Sequence, residues 1–253
     1  MAALIAGEFR KLLSTRLWLW LLLAALGVTA LYATLDIAFA NTPGTFTLPL
    51  TTPQGQRTLL AVGAGGSPLV AVLAAVGVTG EYRHRTVTMT FLATPHRGRV
   101  VVAKLAAYAM SGAAFALACF AAAATIALPW LATKHIPLTV GVSGVIATFA
   151  GVIAAVAAFG LIGVGLGALL HDQVATVVAM LIYLFVIEHV LTSISALNSW
   201  TQYLPGQAQE ALIGSTLANQ PLLHPWQGGL VLAGYALIAA TGGVLLTAHR
   251  DIT

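Results

Sequence analysis

The sequence predicts an all-α integral membrane protein: six transmembrane helices behind an N-terminal interfacial helix. Three observations point there. The 253 residues are 59% hydrophobic and only 7% charged, whereas a soluble domain carries about 25% charged residues, so the solvent must be largely lipid. Six apolar runs, 17–39, 59–78, 100–128, 140–170, 174–197 and 228–247, are each long enough to cross, since a spanning helix needs roughly 20 residues. The basic residues gather on alternate connections. Residues 1–253 form a single transmembrane domain without evident internal repeats.

In chain order, LIAGEFRKLLSTRLW places Leu4, Ile5, Phe9, Leu12 and Leu13 on one helical face. Glu8, Arg10, Lys11 and Ser14 fall mostly on the other, which suits a helix lying in the interface plane. The run Leu17–Phe39 exceeds the 7–15 residues of a signal-peptide core, so it is a retained helix. The Thr- and Pro-rich NTPGTFTLPLTTPQGQR reads as turns. The second run has two readings around Ser67-Pro68: a helix continuing through a kink at Pro68, or a broken helix dipping in from one side. The third contains the single cysteine, Cys119, which excludes an internal disulfide.

The fourth run is longer than a bilayer requires, so it is tilted or begins after Gly144. Its small residues Ala147, Gly151, Ala155, Gly163 and Gly167 recur at four-residue spacing; such a stripe serves packing within one bundle or a subunit interface. The fifth carries Glu188, with His189 beside it. Roughly 22 Å of helix separates Glu188 from Gln173, and an acid at such depth is costly and usually faces a protein interior or wet cavity. It reaches headgroups, bonds Thr192, or lines a pathway. Before the sixth run, SWTQYLPGQAQEALIGSTLANQPLLHPWQGG contains apolar pieces too short to cross, which fits a re-entrant or surface hairpin. Its Trp200, Tyr203 and Trp226 suit an interface.

Orientation follows from the arginines and lysines. Arg10, Lys11, Arg16, Arg83, Arg85, Arg97, Arg99 and Arg250 share one side, with Lys104 just inside the third helix, against Arg57 and Lys134 on the other. The positive-inside rule puts both termini in the cytoplasm. The net charge of +4 is therefore a topology signal, not a nucleic-acid footprint.

The longest cytoplasmic connection, GEYRHRTVTMTFLATPHRGR, spans 80–99. Tyr82, Thr86, Met89 and Ala93 fall on one helical face, flanked by Val87 and Phe91, and Pro95 ends the pattern. Thr86 to Phe91 also alternates as a strand does, but a lone strand would leave its edge unpaired. A short amphipathic helix is the expectation, with arginines that also meet lipid headgroups.

The residues Gly80, Glu81, Tyr82, Arg83 and Thr86, then Thr94, Pro95, Arg97, Gly98 and Arg99, then Lys104, resemble the membrane subunits of type 2 ATP-binding-cassette exporters. The resemblance covers essentially the whole chain. It implies a permease subunit that forms its substrate pathway as a homo- or heterodimer, with the re-entrant segment capping the outer face. It implies a coupling helix over 81–92, docking on a separate nucleotide-binding ATPase subunit through Glu81, Tyr82, Arg83, Arg85, Thr86, Met89 and Phe91. It also implies a prokaryotic plasma membrane, with ATP and Mg bound on the partner. No cofactor is expected on this chain: Lys11, Lys104 and Lys134 follow Arg, Ala and Thr, so the Gly-Lys pair of a phosphate-binding loop is absent. Glu188 and His189 are the pathway candidates.

Other classes are weaker. Gly141-Val142-Ser143-Gly144 resembles the GxSG of rhomboid intramembrane proteases, but the last span lacks the histidine such a serine needs as base. A passive channel would show a selectivity ring, and none is evident. The seven histidines are scattered, with no i, i+4 pair for a metal. No catalytic residue and no metal ligand is assigned.

Overall fold

The computed structural model describes residues 1–40, 42, 47–84, 86, 97–215 and 223–249; among them every regular element is a helix. Five helical segments, Leu17–Phe39, Pro53–Arg83, Gly98–Thr133, Gly141–Leu170 and Gln173–Ser193, are long and apolar enough to cross a membrane. The chain is built as a multi-pass membrane protein. A further helix, Pro225–His249, stands where the sixth run was expected.

Helix α1 (Ala2–Ser14) is set off from α2 (Leu17–Phe39) by Thr15, whose backbone is extended. Ala25, Thr29 and Ala33 of α2 are buried at a spacing of four, while Trp20, Leu23, Leu31 and Leu35 point outward. This inverts the pattern of a water-soluble helix. Lipid accepts large apolar side chains, so the small residues face protein, where they let backbones approach.

The second span begins at Pro53, six residues before the apolar run, because Thr52 caps it: its hydroxyl accepts from the Gly55 amide at 3.1 Å. Helix α3 (Pro53–Ala61) passes through a 3₁₀ stretch, Val62–Gly66, into α4 (Ser67–Arg83). The helix thus continues through Pro68, and the change of pitch precedes the proline. Pro68 has no amide for the Ala64 carbonyl one turn back; the Ser67 hydroxyl donates to that carbonyl instead, at 2.8 Å. The glycines of the 3₁₀ stretch permit contact. A Cβ on Gly63 would lie 3.1 Å from the Phe120 backbone, and one on Gly66 3.4 Å from Cys119 Sγ.

Helix α5 (Arg97–Thr133) is 37 residues long and runs through Pro129 instead of stopping at 128. Helix α6 (Gly141–Leu170) begins before Gly144; at about 45 Å it is longer than the roughly 30 Å hydrocarbon core. The fifth span is α7 (Gln173–Ile182), one π-helical turn (Tyr183–Ile187) and α8 (Glu188–Ser193), ended by the extended backbone of Ile194, short of 197. Helices α9 (Asn198–Thr201), α10 (Pro205–Ile213) and α11 (Pro225–His249) follow. Residues 216–222, the far arm of the expected hairpin, lie outside the described residues, as do 85 and 87–96 of the expected coupling helix and its strand alternative.

Helix α6 is central, and its small-residue stripe is used inside the chain. Gly163 and Gly167 meet the Ala71 and Ala75 carbonyls of α4, Gly165 meets Ala239 of α11, Gly160 meets the Tyr108 carbonyl of α5, and Gly151 meets the Leu212 carbonyl of α10. Residue numbers rise together along α6, α4 and α11, so these run parallel; Gly160 against Tyr108 and Ala157 against Gly112 make α5 antiparallel. Ala155 is fully buried, whereas Ala147 is exposed.

Candidate functional site

Three parts of the sequence, residues 8–11, Glu81 and Lys104, converge on one charge cluster at the α1 end of the bundle. Glu81 sits in the last turn of α4, and its Oε1 accepts from Lys104 Nζ of α5 at 2.6 Å and from Lys11 Nζ of α1 at 2.8 Å. Glu8 of α1 completes the square: Oε1 accepts from Lys11 at 2.8 Å and Oε2 from Lys104 at 2.6 Å. Two acids and two bases make the cluster neutral. Glu8, Glu81 and Lys104 are buried, while Lys11 stays 46% exposed on its side chain. Burial opposes the charge on Lys11, but hydrogen bonds and attraction from Glu8 and Glu81 outweigh it and raise the Lys11 pKa above the ordinary 10.5.

Glu8 was expected on the polar face of α1; it is turned inward beside Leu12 because Lys104 waits there. Leu13, expected on the apolar face, is exposed. Nothing in the α1 periodicity foretells this. The available signal was a lone lysine, Lys104, near the start of one span and a lone acid, Glu81, at the end of the previous one.

The next two residues, Tyr82 and Arg83, engage the 171–173 link. The Tyr82 ring stands edge-on to His171, centroids 4.3 Å apart at 88°. Arg83 Nη1 lies 3.4 Å from Gln173 Oε1. His171 closes α6 in the left-handed region, φ 58°, its amide donating to Gly167; histidine is among the non-glycine residues enriched there. Asp172 then caps α7, accepting from the Ala175 amide at 2.7 Å. Thus Glu81, Tyr82 and Arg83 join the end of α4 to α1, α5 and the 171–173 link. Thr86 is exposed, its amide donating to the Glu81 carbonyl at 3.0 Å. Arg85, Met89 and Phe91 lie outside the described residues.

At the opposite end, Glu188 is buried and its Oε1 accepts from the Gln207 amide at 3.1 Å. It therefore caps α10, whose own N-cap residue, Leu204, offers no side-chain acceptor. A negative charge at a helix N-terminus is favourable. Gly206 leaves the room: a Cβ there would lie 2.5 Å from Glu188 Oε1. Glu188 does not bond Thr192, whose hydroxyl donates to the His189 carbonyl. His189 is exposed on another face, so the two pathway candidates do not share a lining. Trp200, Tyr203 and Trp226 are all exposed at this end.

A further residue, Gln56, went unnoticed in the sequence. It is almost fully buried; its Nε2 donates to the Leu50 and Pro137 carbonyls, and its Oε1 accepts from the Thr139 and Val140 amides. All four hydrogen-bonding positions of the amide are filled, which pins the connection before α3 to the one before α6. Ser143 is exposed in the first turn of α6. No group of three or more His, Cys, Asp or Glu suited to a metal ion occurs among the described residues. Compared with known proteins, the chain matches no protein-family model and no curated protein.

Proposed function

We propose that the chain is the membrane subunit of an ATP-driven exporter of the type 2 ATP-binding-cassette kind. It forms the substrate pathway with a second membrane subunit and is driven by a separate ATPase that holds ATP and Mg. One observation carries this reading. The Gly80–Thr86 stretch, just before the long basic connection, is fastened to three other elements through Glu81, Tyr82 and Arg83. A displacement of the 84–96 connection therefore reaches α1, α5 and the 171–173 link together, as a transmission element requires.

The geometry refines the roles expected of these residues. Glu81 also anchors the stretch within the chain, through its ion pairs with Lys11 and Lys104. The exposed Arg83 and Thr86 are available to the partner. Glu188 shapes the far end by holding α10. The arginine asymmetry supports cytoplasmic termini, and the resemblance to these exporters supports a prokaryotic plasma membrane.

The test is copurification followed by reconstitution. A nucleotide-binding ATPase should copurify with the tagged chain. Glu81→Ala should remain in the membrane yet lower transport-linked ATP hydrolysis about tenfold, the equivalent of roughly 1.4 kcal/mol. Arg10→Ala, at an exposed position outside the cluster, should not. Absence of any ATPase partner, or normal coupled turnover in Glu81→Ala, would reject the reading.

A further inference from the structure

A cavity of about 540 Å³ lies at the α1 end, between the α1–α2 corner and α4, within the roughly 300–1,000 Å³ usual for ligand sites. One wall is apolar: Leu17 of α2 with Leu73, Val76 and Gly77 of α4. From Glu81 to Leu73 it descends about 12 Å along α4. The rest of the lining includes Glu8, Lys11, Glu81 and Tyr108. Tyr108 is only 5% exposed, yet its hydroxyl hydrogen-bonds no described residue. Its oxygen lies against Gly77, in the place where a Cβ would stand, so the glycine makes room for it. A buried hydroxyl normally has a partner, and one left open on a cavity points to a polar group on a ligand.

The carboxylates decide which polar group. Glu8 Oε1 and Glu81 Oε1 come from different helices, and each accepts from Lys11 Nζ at 2.8 Å. Together they form a seat for one ammonium. Lys104 also bonds both acids and is buried, whereas the Lys11 side chain is 46% exposed. Lys11 can therefore withdraw into water. Glu8, Glu81 and Lys104 would then carry one net negative charge in a poorly solvated place, which calls for another cation. An incoming ammonium restores the bonds that Lys11 gave up. A carboxylate or phosphate would meet like charge there.

We propose that this cavity binds a hydrophobic primary amine. Its ammonium takes the seat of Lys11, donating to Glu8 and Glu81, with the Tyr108 oxygen open to its third hydrogen; its hydrocarbon lies along Leu17, Leu73 and Val76. Binding is a property of this chain alone. Its meaning as the entry point for cargo rests on the exporter reading.

The test is photolabelling of the purified full-length chain, in detergent and without any ATPase, by octylamine carrying a diazirine at the chain end. Peptide mass spectrometry should place the label on α4 at Leu73 and Val76, and unlabelled octylamine should compete it away. Octanol and octanoate carrying the same diazirine should not label these residues. Lys11→Met removes the internal competitor. It should strengthen labelling at low probe concentration about tenfold, the gain expected if Lys11 holds the seat about nine-tenths of the time. Val76→Trp fills the slot from a half-buried position and should abolish the label while the chain stays monodisperse and helical. Equal labelling by the octanol probe, stronger labelling by octanoate, or labelling unchanged or weakened by Lys11→Met would overturn the proposal. Those results would leave the exporter reading standing, and absence of an ATPase partner would leave the amine site standing.

Discussion

Glu81 and Lys104 are 23 residues apart in sequence and 2.6 Å apart in space. Removing one member of a buried, hydrogen-bonded charge pair leaves the other uncompensated. Glu81→Ala should therefore lower stability by about 1–3 kcal/mol in detergent unfolding. A Glu81→Ala, Lys104→Met double mutant should lose less than the sum of the two singles, with a coupling of about 0.5–3 kcal/mol; strict additivity would mean the pair does not form. Lys11 gives the same cluster a pH signature. Its pKa is raised by folding, so its contribution is complete below about 10.5 and is lost as pH rises through the folded value. Stability should show an alkaline loss above pH 10.5 that Lys11→Met removes. At the far end, Gly206→Ala tests the Glu188 cap. Glycine to alanine in a helix normally gains up to about 1 kcal/mol. Here it should lose stability, because the new Cβ displaces the carboxylate, and that loss should shrink by about 1 kcal/mol in a Glu188→Ala background.

Among elements, α6 depends on what its glycines touch. Gly163 meets the backbone of Ala71 on α4, whereas nothing lies within 4 Å of a Cβ placed on Gly234 of α11. Both are helical glycines with the same propensity, so their difference isolates helix–helix approach. Gly163→Ala should cost more than about 2 kcal/mol and lower the melting temperature of the purified protein, as overpacking against backbone does. Gly234→Ala should be neutral or stabilising by up to about 1 kcal/mol. Equal effects would mean that α4 and α6 do not pack at this register. The periodicity revealed that α6 had a packing stripe, but not its partner. A four-residue repeat of small side chains is equally suited to a neighbouring helix of the same chain and to another subunit.

For the whole molecule, the parallel course of α4, α6 and α11 against α5 puts His135 and Gln173 at opposite ends of the bundle. With the arginine bias, this predicts sidedness. In a Cys119→Ala background, a cysteine at His135, which is exposed, should label with an impermeant maleimide in intact cells. One at Gln173 should label only after lysis. Labelling of position 173 from outside would invert the orientation and place the charge cluster on the wrong side for a cytoplasmic ATPase.

Composition and run length by themselves determined the membrane character, the approximate spans and the break between α1 and α2. Burial in lipid is a property of whole segments, and a 20-residue apolar run has few other solutions. Local chemistry also marked the residues that matter at the α1 end, since Glu81 and Lys104 stand out as isolated charges beside apolar sequence. Only the tertiary structure decided what those charges do. Helical periodicity ranks positions by polarity and sent Glu8 to the outer face of α1, but a buried lysine on another helix reverses that choice, because that lysine would otherwise be an uncompensated charge in a poorly solvated place. Glu188 and Gln56 follow the same rule. Each satisfies backbone groups from segments distant in sequence, Glu188 on α10 and Gln56 on the loops before α3 and α6, and such partners exist only once the helices have packed.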